Sequence, residues 1–454
     1  MNNRNVVYIV HCVDTEGPLR EPIEETFVRI NQIFGLNIEP SIENLKKIQQ
    51  GAIDFGNATA ALTKLVDPKL ISFNESWDDI GRMLKTICSL RFRREHGDSS
   101  GSGWLYNWFC LDHVGYDYNP RGRCLGHHKV YDYYLMNCSG QSNVRDRVYF
   151  HYHPLPYNRM AHSCATNYLN DNHLFEILAR KVIDRQWFPA VFRPGFHTIR
   201  PDSHWFLEQW IPFDYSNQAT EAETDQPDLG DGRFGDWRQA PRRWGGYHPS
   251  HDDYQAEGDC RRLIFRCLNM RARLRELSQS DVDDAFQQAS LSGKAVLAFT
   301  NHDFRDMASE ISSVYQKIKK SALRWPDVEF RHCNALEAAR CYLDGGSPEP
   351  LGLELVIREK SAGDAELNVT TQSRLFGPQP FLAIKTVEGS YYYDNFDLGS
   401  QPNSWKYTFD WQTFTLKRLE KVGVAATGRQ GQMEIAVWDR ASNTVDIKKI
   451  QYNS

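Results

Sequence analysis

The ionisable residues of this chain fall at the ends of strand-like runs. Asp14 and Glu16 close the apolar run Val6-Val7-Tyr8-Ile9-Val10, and His151 and His153 close Val148-Tyr149-Phe150. Arg193 closes Ala190-Val191-Phe192, and His302 closes Ala295-Val296-Leu297-Ala298-Phe299. Residues i and i+2 of a strand point the same way. Asp14 and Glu16 therefore share a direction, as do His151 and His153. Two carboxylates and two imidazoles facing one mouth make a candidate site for one divalent metal, zinc first, with iron, cobalt and nickel compatible with the donor set. Such a cation would activate water and polarise a carbonyl. A carboxylate not committed to it can take the proton of the water.

These groups must be brought together by the fold. In a parallel β/α barrel the C-terminal strand ends converge on one face, which carries the chemistry. Up to about residue 345, short β-rich runs alternate with helical patterns, which predicts parallel β/α architecture. The expected strands include Leu263–Met270, Lys294–Thr300 and Val328–His332. The spacing of Ile80, Met83, Leu84, Ile87 and Leu90 predicts one amphipathic helix over Trp77–Arg94. Residues 17–76 and 218–258 are read as long insertions, the second as a functional loop or lid. Beyond Gly345-Gly346-Ser347-Pro348 the pattern changes to short alternating strands with Gly, Asn and Asp turns. The expectation is a distorted (β/α) barrel of about seven strands over residues 1–346, followed by an antiparallel β-sandwich over 347–454.

The barrel motifs resemble the polysaccharide deacetylase superfamily. Val13-Asp14-Thr15-Glu16-Gly17 is similar to its acidic first-strand end, His151-Tyr152-His153-Pro154 to its metal-binding histidines and Phe192-Arg193-Pro194-Gly195 to its arginine motif. Thr300-Asn301-His302-Asp303 is similar to its late catalytic histidine, and Phe213-Asp214-Tyr215-Ser216 to the strand end after the arginine. The resemblance spans roughly residues 5–335. It implies a metal-dependent carbohydrate deacetylase in which Asp14 is the base, Arg193 orients it, and His302 is the general acid. Glu16, His151 and His153 would then hold the metal. Here Thr15 splits the acidic pair and the histidines are two residues apart. The division of roles between Asp14 and Glu16 therefore stays open, as does the place of His113 or His162 as a ligand. Asp303, Asp306 or Asp214 could orient His302.

Loop aromatics are the expected sugar contacts: Tyr116, Tyr118, Trp237 and Trp244, with Asp214 as a further substrate-binding residue. Trp104, Tyr106 and Trp108 read as barrel core, because large aromatics mostly bury. Arg242-Arg243 reads as a solvated turn. A net charge of −5 argues against a nucleic-acid partner. No run approaches a membrane span, and the N-terminal apolar run is shorter than a secretory h-region. The ten cysteines are scattered without a C-x-x-C pair and read as reduced, mostly buried thiols. A cytoplasmic enzyme is expected, acting on an N- or O-acylated sugar of a bacterial surface-polysaccharide precursor. Two rivals remain: a glycoside hydrolase using Asp14 with Asp214, and a glycan-binding protein without catalysis. The sandwich is left to bind carbohydrate, pack on the barrel or join a homo-oligomer.

Overall fold

The computed structural model describes residues 5–139, 145–220, 235–271, 276–360 and 363–450. Residues 221–234 of the 218–258 insertion lie outside these. The first nine strands are β1 (Asn5–Thr15), β2 (Asn107–Leu111), β3 (Arg147–Tyr152), β4 (Val191–Pro194), β5 (Phe213–Asn217), β6 (Gly246–Tyr247), β7 (Leu263–Asn269), β8 (Lys294–His302) and β9 (Val328–His332). Seven of them form a closed parallel barrel in the order β1-β2-β3-β4-β5-β7-β8, surrounded by helices. One edge of β1 is shared: its first half pairs with β9 and its last residues, Cys12 to Thr15, pair with β2. The two-residue strand β6 runs antiparallel on β7.

Alternation along these strands decides which side chains reach the barrel interior. Val10, Cys12, Phe109, Tyr149, Val191, Phe213, Tyr215, Val296 and Ala298 belong to one buried cluster, which helix Ala335–Tyr342 completes with Ala335, Leu336, Ala338 and Ala339. The intervening residues Val13, Trp108, Phe150, Phe192, Leu297 and Phe299 belong to a second cluster, with the surrounding helices. Trp104, Tyr106 and Trp108 lie in that outer layer, fully buried, as the sequence suggests.

The 17–76 insertion is helical: Ile23–Phe34, Ile42–Gln49, Thr59–Leu65 and Pro68–Ile71. It has its own small core of Phe27, Ile30, Ile48, Leu62, Leu65 and Val66. Ser41 caps the second of these helices by accepting from Asn44 N. The single helix expected over Trp77–Arg94 is two, Trp77–Ile87 and Leu90–Glu95. Ser89 between them accepts from Phe92 N and starts the second, so a side-chain cap interrupts an unbroken apolar stripe.

The C-terminal strands are β10 (Glu354–Glu359), β11 (Ala365–Thr370), β12 (Phe381–Thr386), β13 (Tyr391–Asp394), β14 (Asp397–Leu398), β15 (Ser404–Phe409), β16 (Leu419–Thr427), β17 (Met433–Asp439) and β18 (Thr444–Ile450). They form two antiparallel sheets, β10-β11-β15-β14 and β13-β12-β16-β17-β18. The second sheet packs directly on the barrel helix His173–Arg185. Phe175 stacks on Tyr393 at 4.8 Å, Phe188 meets Phe381 at 5.1 Å, and Phe381, Ala425 and Ile435 join the outer barrel core. Gly423 permits this approach, since a Cβ there would lie 2.6 Å from Val182 Cγ1 and 3.2 Å from Ile183 Cγ1. Gly423→Ala should therefore cost about 1–3 kcal/mol, read as a lowered urea midpoint. A variant as stable as the wild type would show that the helix can retreat freely.

Candidate metal centre and acid pair

The inward parity of the strands continues past their ends. On β1 the series Val10, Cys12, Asp14, Glu16 runs from interior to mouth; on β3 it is Tyr149, His151, His153; on β8 it is Ala298, Thr300, His302. Register fixes the levels: Asp14 is the β-partner of His302, and His151 is the partner of Arg193. Residues far apart in the chain therefore meet as neighbours.

Arg193 clamps Asp14 from one side. Its Nε donates to Asp14 Oδ1 at 2.7 Å and its Nη2 to Oδ2 at 2.9 Å, while Nη1 donates to the Tyr215 carbonyl. Thr300 Oγ1 adds a third bond to Asp14 Oδ2 at 3.2 Å. Burial pushes the Asp14 carboxyl up, but the Arg193 guanidinium and the imidazoles outweigh it and hold the group well below the usual carboxylate range.

Glu16 lies across from this pair. Its Oε1 is 3.6 Å from His153 Nε2, 3.7 Å from His302 Nε2 and 3.9 Å from His151 Nε2. Its Oε2 pairs with Arg123 Nη2 at 2.7 Å. Against the effect of burial, Arg123 and the imidazoles bring the Glu16 carboxyl down to about 2. The peptide that carries Glu16 is held on three sides. Asp303 accepts from Glu16 N at 3.0 Å and Gly17 N at 2.9 Å, and His113 Nε2 donates to the Glu16 carbonyl at 2.8 Å. Tyr134 donates its hydroxyl to Asp303 in turn.

The two histidines face each other. His151 donates Nδ1–H to the Arg193 carbonyl at 2.9 Å, which fixes the ring and turns its Nε2 toward the centre. That nitrogen lies 3.0 Å from His153 Nε2. Glu16, His151 and His153 thus form a buried two-imidazole, one-carboxylate group with ligand atoms within 4.8 Å of one another. The donor set fits a divalent cation. Gly195 is required beside it, because a Cβ there would lie 2.1 Å from His153 Cδ2. A second group, His204, Glu208 and Cys260, also lies within ligand distance. There Arg262 Nη1 already donates to His204 Nδ1 at 2.6 Å and Glu208 Oε1 at 3.0 Å, so a cation would have to displace a guanidinium.

Several expected site residues lie elsewhere. Asp214 has the opposite parity to Phe213 and Tyr215, is fully buried, and has Arg262 Nε at 3.6 Å as its charged neighbour. Strand alternation turns it away from Asp14, so it is neither a substrate contact nor the second carboxylate of a glycosidase pair. Trp237 and Trp244 are buried as well. Trp237 Nε1 donates to the His197 carbonyl at 3.0 Å, and Trp244 lies under Arg266 at 4.2 Å. They brace loops and offer no face to a sugar. Tyr116 is half-buried near the centre, its ring 6.2 Å from that of His113, and Tyr118 is exposed. His162 faces Glu25 at 3.9 Å. Asp303 does not orient His302, because it serves the Glu16 main chain, and Asp306 caps the next helix through Ala308 N. The carboxylate beside His302 is Glu16.

Residues that no motif flagged complete the centre. Arg123 comes from a loop without periodicity. His197 follows Arg193 by four residues, with its Nδ1 3.5 Å from Arg193 Nη2 and its Nε2 3.3 Å from Asn269 Oδ1. Phe196 and His197 both have left-handed backbones, φ 52° and 50°, a strained conformation of the kind found at functional sites. Its position just past Arg193-Pro194-Gly195 was the available signal.

Burial also sets an acid response. It pushes His11, His113 and His332 down to about 4 and His153 to about 3. Each is neutral in the fold where the unfolded chain would bind a proton, so stability should fall as pH drops from about 6.5 toward 4. Each imidazole contributes up to about 1.4 kcal/mol per pH unit. Asp303, raised to about 7, and Asp214, raised to about 6, act in the opposite sense but are fewer. Urea unfolding of cation-free protein at pH 7, 6 and 5 tests this; a constant midpoint would refute it.

Compared with family models, curated proteins and solved structures, the chain matches none of them. The reading of function therefore rests on the site itself. Among the described residues no helix is long and apolar enough to cross a membrane.

Proposed function

We propose that the protein is a metal-dependent carbohydrate deacylase, with an N- or O-acetyl group of a bacterial surface-polysaccharide precursor as the expected target and the cytoplasm as its place of action. The support is the convergence of Glu16 Oε1, His151 Nε2 and His153 Nε2 beside an arginine-clamped Asp14, in the chain order of the polysaccharide deacetylase superfamily that the motifs resemble.

A divalent cation held by Glu16, His151 and His153, zinc first, would supply Lewis acidity for activating water and polarising the acyl carbonyl. The chain's own residues do the rest. Arg193 keeps Asp14 ionised and aimed, and Asp14 accepts the proton of the attacking water. His302, at the same level as Asp14, has a side chain 27% exposed, which suits a group that protonates a leaving nitrogen or oxygen. Burial pushes it down to about 4, so it waits as neutral imidazole. It must be charged before it can protonate the leaving group, and the proton collected at Asp14 is the nearest source. In support of this division of labour, Glu16 offers one oxygen to the imidazoles, whereas both oxygens of Asp14 are held by Arg193.

The test is acetate release from acetylated sugars by zinc-loaded protein. Chelation should abolish it and zinc restore it. Full activity after exhaustive chelation, or cleavage of the glycosidic bond instead, would overturn the assignment.

A further inference from the structure

Each carboxylate of the centre has its own guanidinium. Arg193 balances Asp14, and Arg123 balances Glu16. A divalent cation bound by Glu16, His151 and His153 would therefore bring two positive charges to a centre whose two carboxylates are each already paired with a guanidinium. Such a centre attracts an anion.

Arg123 supplies a second observation. Its residue is 8% exposed, and its Nε and Nη1 are out of solvent with no hydrogen-bond partner among the described residues. The guanidinium lies over the Phe304 ring at 4.7 Å, and that same ring packs on His302 at 4.7 Å. The backbone is pinned by Asn119, which accepts from Arg123 N at 2.8 Å and donates to its carbonyl at 2.7 Å. Arg123 is thus a fixed, buried cation with unused donors, one carboxylate's width from the ligand oxygen of Glu16. Buried charged donors are normally satisfied, and an acceptor supplied by a ligand would satisfy these.

We propose that Arg123 is a specificity residue for an acidic substrate, an acylated sugar whose carboxylate or phosphate oxygen it receives beside the acyl group. This rests on the deacylase reading and names the substrate class of the same site. Arginine suits the task, being always charged and pairing with both kinds of oxyanion.

The test uses calorimetry on the full chain loaded with zinc, with glucose, glucuronate and glucose 6-phosphate as probes. One of the two acidic sugars should bind at least about tenfold tighter than glucose, and which one does so identifies the carboxylate or the phosphate as the source. In Arg123→Gln the preference should fall to within about twofold; in Arg123→Lys, which keeps the charge without the planar fork, it should shrink but persist. The lysine variant also carries the test should the glutamine variant fail to fold. Equal binding of all three sugars by wild type would overturn the proposal. So would a preference that survives unchanged in the variants, since the cation alone would then account for it. Zinc uptake by the same samples separates the two claims. Absent uptake defeats the metal centre, whereas normal uptake without acid preference defeats only the role of Arg123.

Discussion

Zinc content should fall from about one ion per chain to near zero when either His151 or His153 is replaced by Ala. Three ligand atoms form the face, and removing one leaves two donors on a cation that water would compete for. His151 is the stiffer of the two, because its Nδ1–H is tied to the Arg193 carbonyl and its ring cannot turn without breaking that bond. His153 has no such tie, and its ring is placed by the bare Gly195 backbone and the edge of Phe196 at 5.6 Å. Acyl hydrolysis should drop by about 10²–10⁴-fold in both variants, the range associated with losing one positioned catalytic function. The controls are His113→Ala and His162→Ala. His113 supports the Glu16 carbonyl and His162 faces Glu25, so both variants should keep at least half of the zinc. Elemental analysis of the four proteins decides the matter. Zinc retained in His153→Ala but lost in His113→Ala would replace one ligand with the other.

How much of this could be read from the sequence depended on alternation. Asp14, Glu16, His151, His153, Arg193 and His302 each extend a strand whose interior face is apolar, so period two carried them to the same mouth. The same rule, applied one residue more carefully, would have excluded Asp214. It sits between Phe213 and Tyr215, both of which face inward, so it must face the helices. The motif resemblance around Asp214 outweighed that parity and gave the wrong placement. Trp237 and Trp244 were misplaced for a different reason. Their segment is rich in Gly, Pro and Asp, which reads as exposed loop, yet buried loop segments can be anchored by large aromatics with a hydrogen-bonding edge. Arg123 was out of reach altogether. Its loop has no period, and only the folded chain shows that Glu16 needs a countercharge. Among the sandwich strands, β13, β14 and β18 carry the weakest sequence signal. The first two are four and two residues long, and β18, Thr444–Ile450, is an exposed edge strand that alternates charge with apolar residues too weakly to stand out.

Arg193→Met should be the most destabilising of the changes considered, by about 3–5 kcal/mol, because it removes one partner of a buried pair and leaves the other charged. Arg193 is fully buried and Asp14 is 3% exposed. Both oxygens of Asp14 depend on the guanidinium, with Thr300 the one other side-chain donor among the described residues. The sign of the pH dependence at this site should invert as well. In the wild type the Asp14 carboxyl is depressed, so its contribution is present above the unfolded value of about 4 and is lost as pH falls. Without Arg193 the burial that now opposes ionisation would dominate, and the folded carboxyl would rise above its unfolded value. The variant's deficit should then shrink on acidification, as the stranded carboxyl takes up a proton. The double variant Asp14→Asn with Arg193→Met should recover much of the loss even at neutral pH, since no buried charge remains. Urea midpoints at pH 7 and 5 for wild type, Arg193→Met and the double variant measure all three terms. A single variant that loses the same amount at both pH values, or a double variant no better than the single, would mean that Arg193 acts through packing and its bond to Tyr215 rather than through the charge of Asp14.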